Sequence, residues 1–260
     1  MNLHVEASGN PSNPTLVFLH GMSVSSWMWT EQVEALKHDY YCLTIDLPGN
    51  GESYQTEWKS FEDSAAQIAQ IIRERSTTKT AHVIGLSLGA YVAIDVLRCH
   101  PDVVETVIVS GMTTRPLPNP RLMKAIGIPM YYLQKFAPVS LLFAKMMGLP
   151  SDIAPLFQRD SQRLSRQTID RVYDVLLNYH LSTDLADRQQ RVLAVAGDRE
   201  NAAITETLHN FPDLIPNAAA ALAPKSGHGW VGEHPDLFAA MIRAWVENKE
   251  LPKELGMVIR

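Results

Sequence analysis

The sequence predicts an α/β fold: a mostly parallel sheet flanked by helices, with a helical cap inserted near the middle. Three observations lead there. Seven short runs are apolar almost throughout, as strands buried on both faces are. Helical patterns separate them, which is the alternation of a sheet with crossover helices. One long stretch, about 115–190, carries helical spacing and no strand pattern.

The strand runs are residues 3–7, 15–20, 41–46, 81–86, 106–110, 192–197 and 219–223, most of them rich in Val, Ile and Leu. Helices are expected over 60–75, 90–99 and 235–248. In the last of these Leu237, Phe238, Met241, Ile242 and Trp245 share one face. Within the stretch without strands, Pro138 suits the first turn of a helix. Val139, Leu142, Phe143, Met146 and Met147 then recur at helical spacing before Gly148 and Pro150 end it. Ile169, Val172, Tyr173, Leu176 and Leu177 repeat the pattern. So much helix between two strands reads as a cap set into one domain spanning 1–260, not as a second domain in series.

Composition removes several function classes. Of the 260 residues 46% are hydrophobic and 20% charged, the balance of a folded globular protein rather than a disordered chain. The formal net charge is −5 with no basic run, so a nucleic-acid partner is not expected. No stretch is apolar and long enough to span a bilayer, and the start lacks the pattern of a signal peptide. Cys42 and Cys99 stand at no metal-ligand spacing and read as buried free thiols of a reducing, cytoplasmic compartment. No cofactor or metal is expected, and the chain is expected to be a monomer or homodimer.

The chemical signal is Gly85-Leu86-Ser87-Leu88-Gly89, between a strand run and a helical pattern. In a strand-to-helix turn this tight the serine is held in a strained conformation, and the glycines let the flanking backbones pass close. Its hydroxyl is presented at the strand's carboxyl end, near a helix N-terminus that favours developing negative charge. Serine needs a base, and the base needs an orienting acid. In this setting the chain order is serine, acid, histidine. Of nine histidines, only His209, His228 and His234 come late enough, and His228 lies in a loop just after the last strand run. His209 and His234 read as helix-surface and helix-cap residues. The acid is expected after residues 192–197, where Asp198 and Glu200 both stand and spacing does not choose between them. The N–H groups of Met22 and Leu88 are the expected donors to an oxyanion. His20 precedes the serine and reads as a brace for its loop.

With these pieces in order, the chain resembles the α/β-hydrolase family. The resemblance rests on Phe18-Leu19-His20-Gly21, on Asp46-Leu47-Pro48-Gly49-Asn50-Gly51-Glu52-Ser53, on Gly85 to Gly89, on Gly197 to Glu200 and on Gly227-His228. It implies a Ser–acid–His hydrolase whose acid lies three residues after the glycine of the acid loop, which falls on Glu200, with Asp198 the alternative. The second stretch departs from the common form, which has histidine where Asn50 stands. Relatives that hydrolyse epoxides or carbon–halogen bonds carry aspartate at the elbow, so Ser87 points to carboxylic ester hydrolysis through an acyl-enzyme. Carbon–carbon bond hydrolysis, lactone hydrolysis and acyl transfer occur on the same fold, and a slow-turnover ligand receptor is the alternative from another class. Methionines 22, 28, 112, 123, 130, 146 and 147 fall in the cap or the loops beside the site, as adaptable apolar pockets favour. Trp29, Met112 and Trp230 are expected to line the pocket, and the substrate to be a small, mostly apolar ester.

Overall fold

In the computed structural model, which describes residues 3–146, 149 and 151–259, each of the seven expected runs forms a strand. They are β1 (Val5–Ser8), β2 (Thr15–Leu19), β3 (Tyr41–Ile45), β4 (Ala81–Leu86), β5 (Val104–Ser110), β6 (Arg191–Gly197) and β7 (Ala218–Ala223). An eighth, β8 (Gly256–Ile259), completes a sheet of order β1-β3-β2-β4-β5-β6-β7-β8. Pairing is parallel from β3 through β7 and antiparallel at both edges.

Strands β2 to β7 are apolar at most positions because both of their faces are covered. Val17, Leu19, Val83, Val107, Val109, Val192 and Ala194 enter one core. Leu16, Phe18, Ile84, Ile108, Leu193 and Val195 enter the other. Successive side chains of a strand point to opposite faces, so each strand feeds both layers in turn. The first layer holds α2 (Phe61–Arg75), α3 (Leu88–Cys99) and the short α9 (Asn210–Leu214), and the second holds α1 (Thr30–Leu36) and α11 (Pro235–Val246). Two further short helices, α8 (Ala202–Thr205) and α10 (Trp230–Glu233), follow β6 and β7. Helix α2 begins where Ser60 Oγ accepts the Asp63 N–H at 3.1 Å, an N-cap that satisfies one of the free donors of its first turn. It buries Phe61, Ala65, Ile68, Ala69 and Ile72, one stripe at helical spacing.

Between β5 and β6 the chain forms four longer helices: α4 (Pro120–Leu133), α5 (Ala137–Met146), α6 (Ala154–Arg163) and α7 (Arg166–Leu177). Ile169 and Val172 of α7 are buried as their spacing implies. The inward face of α5 differs from the expected one. Ser140 and Ala144 are buried while Leu141 and Leu142 are exposed. Small residues let α5 lie close against α6, and the leucines are turned outward. The expected end of that helix, at Met147, Gly148 and Pro150, lies outside the described residues. Of the two thiols, Cys42 is buried but Cys99, at the end of α3, is exposed. Among the described residues no helix is long and apolar enough to cross a membrane.

Candidate active site

Every expected site residue follows the carboxyl end of a parallel strand, where open α/β sheets leave a crevice. Ser87 links β4 to α3 with φ +53° and ψ −118°, a backbone state that costs a non-glycine residue about 1–3 kcal/mol. The turn closes so tightly that a Cβ on Gly85 would stand 2.3 Å from the Gly89 carbonyl oxygen, and one on Gly89 2.1 Å from that of Leu19. Backbone cannot yield there, which is why both positions are glycine. Ser87 N–H donates to Ser110 O at 2.8 Å, pinning the elbow to the end of β5.

His228 lies in the loop between β7 and α10. Its Nδ1 is 2.7 Å from Glu200 Oε2, with the Glu200 side chain 1% exposed and the imidazole 49% exposed. Gly197 N–H donates to the other carboxylate oxygen at 3.1 Å, so both oxygens of Glu200 are held. Asp198 does different work. It is exposed, and its Oδ1 accepts the Ser226 N–H at 3.1 Å, which ties the histidine loop to the end of β6. Donation from the Lys225 and Ser226 backbones holds its carboxyl below the ordinary aspartate range. Gly227 N–H donates to Glu233 Oε2 at 3.3 Å, a second anchor for the same loop.

A residue that sequence reasoning missed joins these groups. Gly111 follows Ser110 with φ +68°, and a Cβ there would stand 2.6 Å from His228 Cε1 and 3.4 Å from Glu200 Oε2. Ser87 and the His228–Glu200 pair therefore meet the same two-residue turn, one through its carbonyl and the other through its bare Cα. A lone glycine after a strand carries no sign of this in the sequence. Gly111→Ala adds both the clash and a left-handed alanine. We expect it to displace the imidazole and lower kcat on a p-nitrophenyl ester by about 100-fold or more. Melting should fall by only a few degrees. Unchanged kcat would show that the imidazole does not depend on this turn.

Between β2 and α1 runs the loop that carries Met22. Gly21 lies against Ser87, since a Cβ on it would be 3.5 Å from Ser87 Cβ. Among the described residues neither Met22 N–H nor Leu88 N–H has a hydrogen-bond partner. For Leu88 this follows from its place as the first residue of a helix. The loop is braced from several sides. His20 is fully buried, its Nδ1 2.6 Å from Gly21 O and its Nε2 accepting the Leu47 N–H at 2.9 Å. Burial lowers the His20 pKa against the pull of Asp46, which suits a neutral brace. Asn50, the departure from the common pattern, accepts the Ser23 N–H at 3.4 Å and so supports the residue after Met22. Asp160 of α6, 1% exposed, accepts from Ser25 Oγ at 2.7 Å and Trp27 Nε1 at 2.8 Å. A buried carboxylate from the helices between β5 and β6 thus holds the loop beside Ser87.

The tryptophans expected in the pocket belong to the core instead. Trp29 is fully buried between Phe18 and Phe238, with ring centroids 5.2 and 5.7 Å away. Trp230 is equally buried, 4.5 Å from the Phe238 ring, and its indole N–H donates to Ser110 Oγ at 2.9 Å. Their nearness in sequence to site loops comes from packing beneath the site. Met112, beside Gly111, is buried in the same cluster as Leu88 and Tyr91, and Met22 packs against that cluster. Met28 packs into the opposite core, and Met123 and Met130 are exposed on α4. His209 and His234 are exposed residues at the starts of α9 and α11. A surface cleft lined by Pro14, Tyr40, His82 and Arg243 opens at the amino ends of the strands, the wrong end for Ser87.

The alpha/beta hydrolase family model matches residues 16–241, most of the chain and all of this constellation. The chain belongs to that family. An AB hydrolase superfamily protein of Gibberella zeae is 26% identical to this hydrolase over 94% of its chain and 84% of the relative. A pimeloyl-[acyl-carrier protein] methyl ester esterase of Vibrio parahaemolyticus is 24% identical over 95% and 99%. Among solved structures, an esterase from Exiguobacterium antarcticum superposes on the hydrolase with a TM-score of 0.78. It is 19% identical and covers 94% of this chain and 95% of its own, a likeness of fold.

Proposed function

We propose that this hydrolase cleaves carboxylic esters of small, mostly apolar substrates through an acyl-enzyme on Ser87. The observation that carries the reading is the 2.7 Å contact between His228 Nδ1 and the buried Glu200 carboxylate, set against the turn that anchors Ser87. With Nδ1–H committed to Glu200, Nε2 is the free base. It takes the Ser87 proton as Oγ attacks the acyl carbon, and returns it to the leaving alkoxide. The carbonyl oxygen becomes an oxyanion, received by the N–H groups of Met22 and Leu88. One such donor is worth about 3 kcal/mol in the transition state. Water, deprotonated by the same Nε2, then attacks the acyl carbon. The C–O bond to Ser87 breaks as Nε2 returns that proton to Ser87 Oγ, and the acid leaves. No described hydrogen bond joins Ser87 Oγ to His228, a contact that often tightens only with substrate in place.

Met22, half-buried on the loop after β2, supplies apolar surface beside the nucleophile, whereas Met112 is buried in the core, and the helices between β5 and β6 act as a cap over the site. The esterase relatives support an ester as the bond cleaved. The test is a panel of p-nitrophenyl esters of graded chain length, with lactones and dienoate-type ketones alongside. A fluorophosphonate probe, followed by peptide mass spectrometry, reports the nucleophile. Ester turnover with a single adduct on Ser87 is expected. Turnover of a ketone or lactone but no ester would replace this substrate class. An adduct at another serine would overturn the mechanism.

A further inference from the structure

The outer face of α4 has no partner among the described residues. At 100° per residue, Leu122, Ile126, Met130 and Leu133 fall on one stripe. All are exposed, Ile126 by 61%, and Phe136 just beyond the helix is 64% exposed. Six large apolar side chains of this segment open to solvent, Met123 included, is far from the scatter of single apolar residues on ordinary surfaces. The opposite face of α4 is committed. Gly127 and Tyr131 pack on Tyr173, while Lys124 pairs with Asp174 of α7. Helix α7 is in turn tied to the sheet side, Thr168 lying against Gly49 and Arg171 pairing with Glu57. The stripe therefore points away from the sheet, on the outermost layer of the molecule.

Charge identifies the occupant. From Thr106 to Ser151 the chain has Arg115, Arg121, Lys124, Lys135 and Lys145 and no carboxylate, although the protein as a whole carries −5. All 28 acidic residues lie outside this segment. Lys124 is paired and the Lys135 ammonium donates to Leu164 O, but Arg115, Arg121 and Lys145 are exposed and have no acidic partner among the described residues. We infer that α4 and Phe136 form a docking surface for an anionic lipid–water interface. The apolar stripe enters the boundary between headgroup and acyl chain, and the unpaired cations of the same carboxylate-free segment meet lipid phosphates. A symmetric dimer through this face would set the carboxylate-free segment against its own copy, which charge opposes. The inference is independent of the ester chemistry, because its readout is binding.

The test is flotation of the full-length protein with phosphatidylcholine vesicles and with vesicles containing about 30% phosphatidylglycerol. Binding to anionic vesicles is expected at least about tenfold tighter than to neutral ones, and to weaken as salt rises. Ile126→Glu combined with Leu133→Glu should remove it while leaving turnover of a soluble ester and the melting temperature unchanged. Equal affinity for both vesicles, salt-independent binding, or none at all in the wild type overturns the inference. So does a dimer in light scattering that the double variant dissolves, which would assign the face to a second copy. The lipid and salt comparisons use only wild-type protein, so they decide even if the variant folds poorly.

Discussion

Ser87→Gly is expected to melt higher than the wild type while losing catalysis. The elbow holds Ser87 at φ +53°, which costs about 1–3 kcal/mol for a residue with a Cβ and almost nothing for glycine. Against that, glycine adds about 0.4–1 kcal/mol of entropy to the unfolded chain. The difference favours the variant by about 1 kcal/mol, or about 2–4 °C at this chain length. Ser87→Ala keeps the strain and removes only Oγ, so its melting point should stay near the wild type. Both variants should lose at least about 10⁴-fold in kcat on a p-nitrophenyl ester, the scale on which removing the nucleophile of such a triad acts. The pair separates two properties of one residue. If Ser87→Gly melts lower, the elbow stores no strain. If Ser87→Ala keeps a tenth of the activity, the nucleophile lies elsewhere.

How much of this was legible in the sequence depends on the distance over which each residue acts. Strands β2 to β7 were legible because each is buried on both faces, so burial alone writes a nearly continuous apolar run. β8 was not, since a four-residue edge strand pairing only with β7 leaves no comparable run. The elbow was legible because its steric demands fall on neighbours two residues away. Gly111 and Asp160 act across the fold. Gly111 matters through the imidazole of His228, and Asp160 through Ser25 and Trp27, more than a hundred positions from it in the chain. In sequence Asp160 sits in Gln158-Arg159-Asp160-Ser161-Gln162-Arg163, which reads as a solvated helix face. Trp29 and Trp230 failed for the converse reason. They are near the site in sequence, yet their rings pack on Phe238 in the core on one face of the sheet. Leu142 of α5 misled because helical spacing marks a face without saying which way it turns.

The insertion follows the same logic. Its inner helices, α6 and α7, are held by partners on the loops after β2 and β3: Asp160 with Ser25 and Trp27, Arg163 with Glu52, and Arg171 with Glu57. The outer helix α4 touches α7 and leaves its apolar stripe uncovered. The inner layer is thus built to hold the loop that carries Met22 in place, and the outer layer is free to meet something else. Substitutions in the first should move kcat, and those in the second should not.

Glu200→Gln and Asp198→Asn are expected to part by about three orders of magnitude in kcat, although the residues are two positions apart. Spacing left both open as the acid, and resemblance favoured Glu200. The contacts differ in kind. Glu200 is buried, with one oxygen held by Gly197 N–H and the other 2.7 Å from His228 Nδ1. A glutamine of the same shape can turn its NH2 toward Nδ1. That demands the tautomer with its proton on Nε2, which cannot serve as base. An acid-to-amide change of this kind costs about 10⁴-fold in kcat when geometry is preserved. Glu200→Asp keeps the charge but draws it back by a methylene, so it should recover part of the loss. Asp198 instead accepts from a backbone N–H, as an asparagine oxygen does equally well. Its variant should stay within about threefold of wild type, since only an exposed, solvent-screened charge is lost. The stability difference should depend on pH. The Asp198 carboxyl is depressed in the folded protein, so the stabilisation it lends is present above the ordinary aspartate range and is lost as pH falls through the folded pKa. Asp198→Asn should therefore flatten the acid side of the stability curve and leave the pH profile of kcat unchanged, whereas Glu200→Gln should lower kcat across the profile. Equal losses from the two amides would mean that the loop, rather than one carboxylate, orients His228.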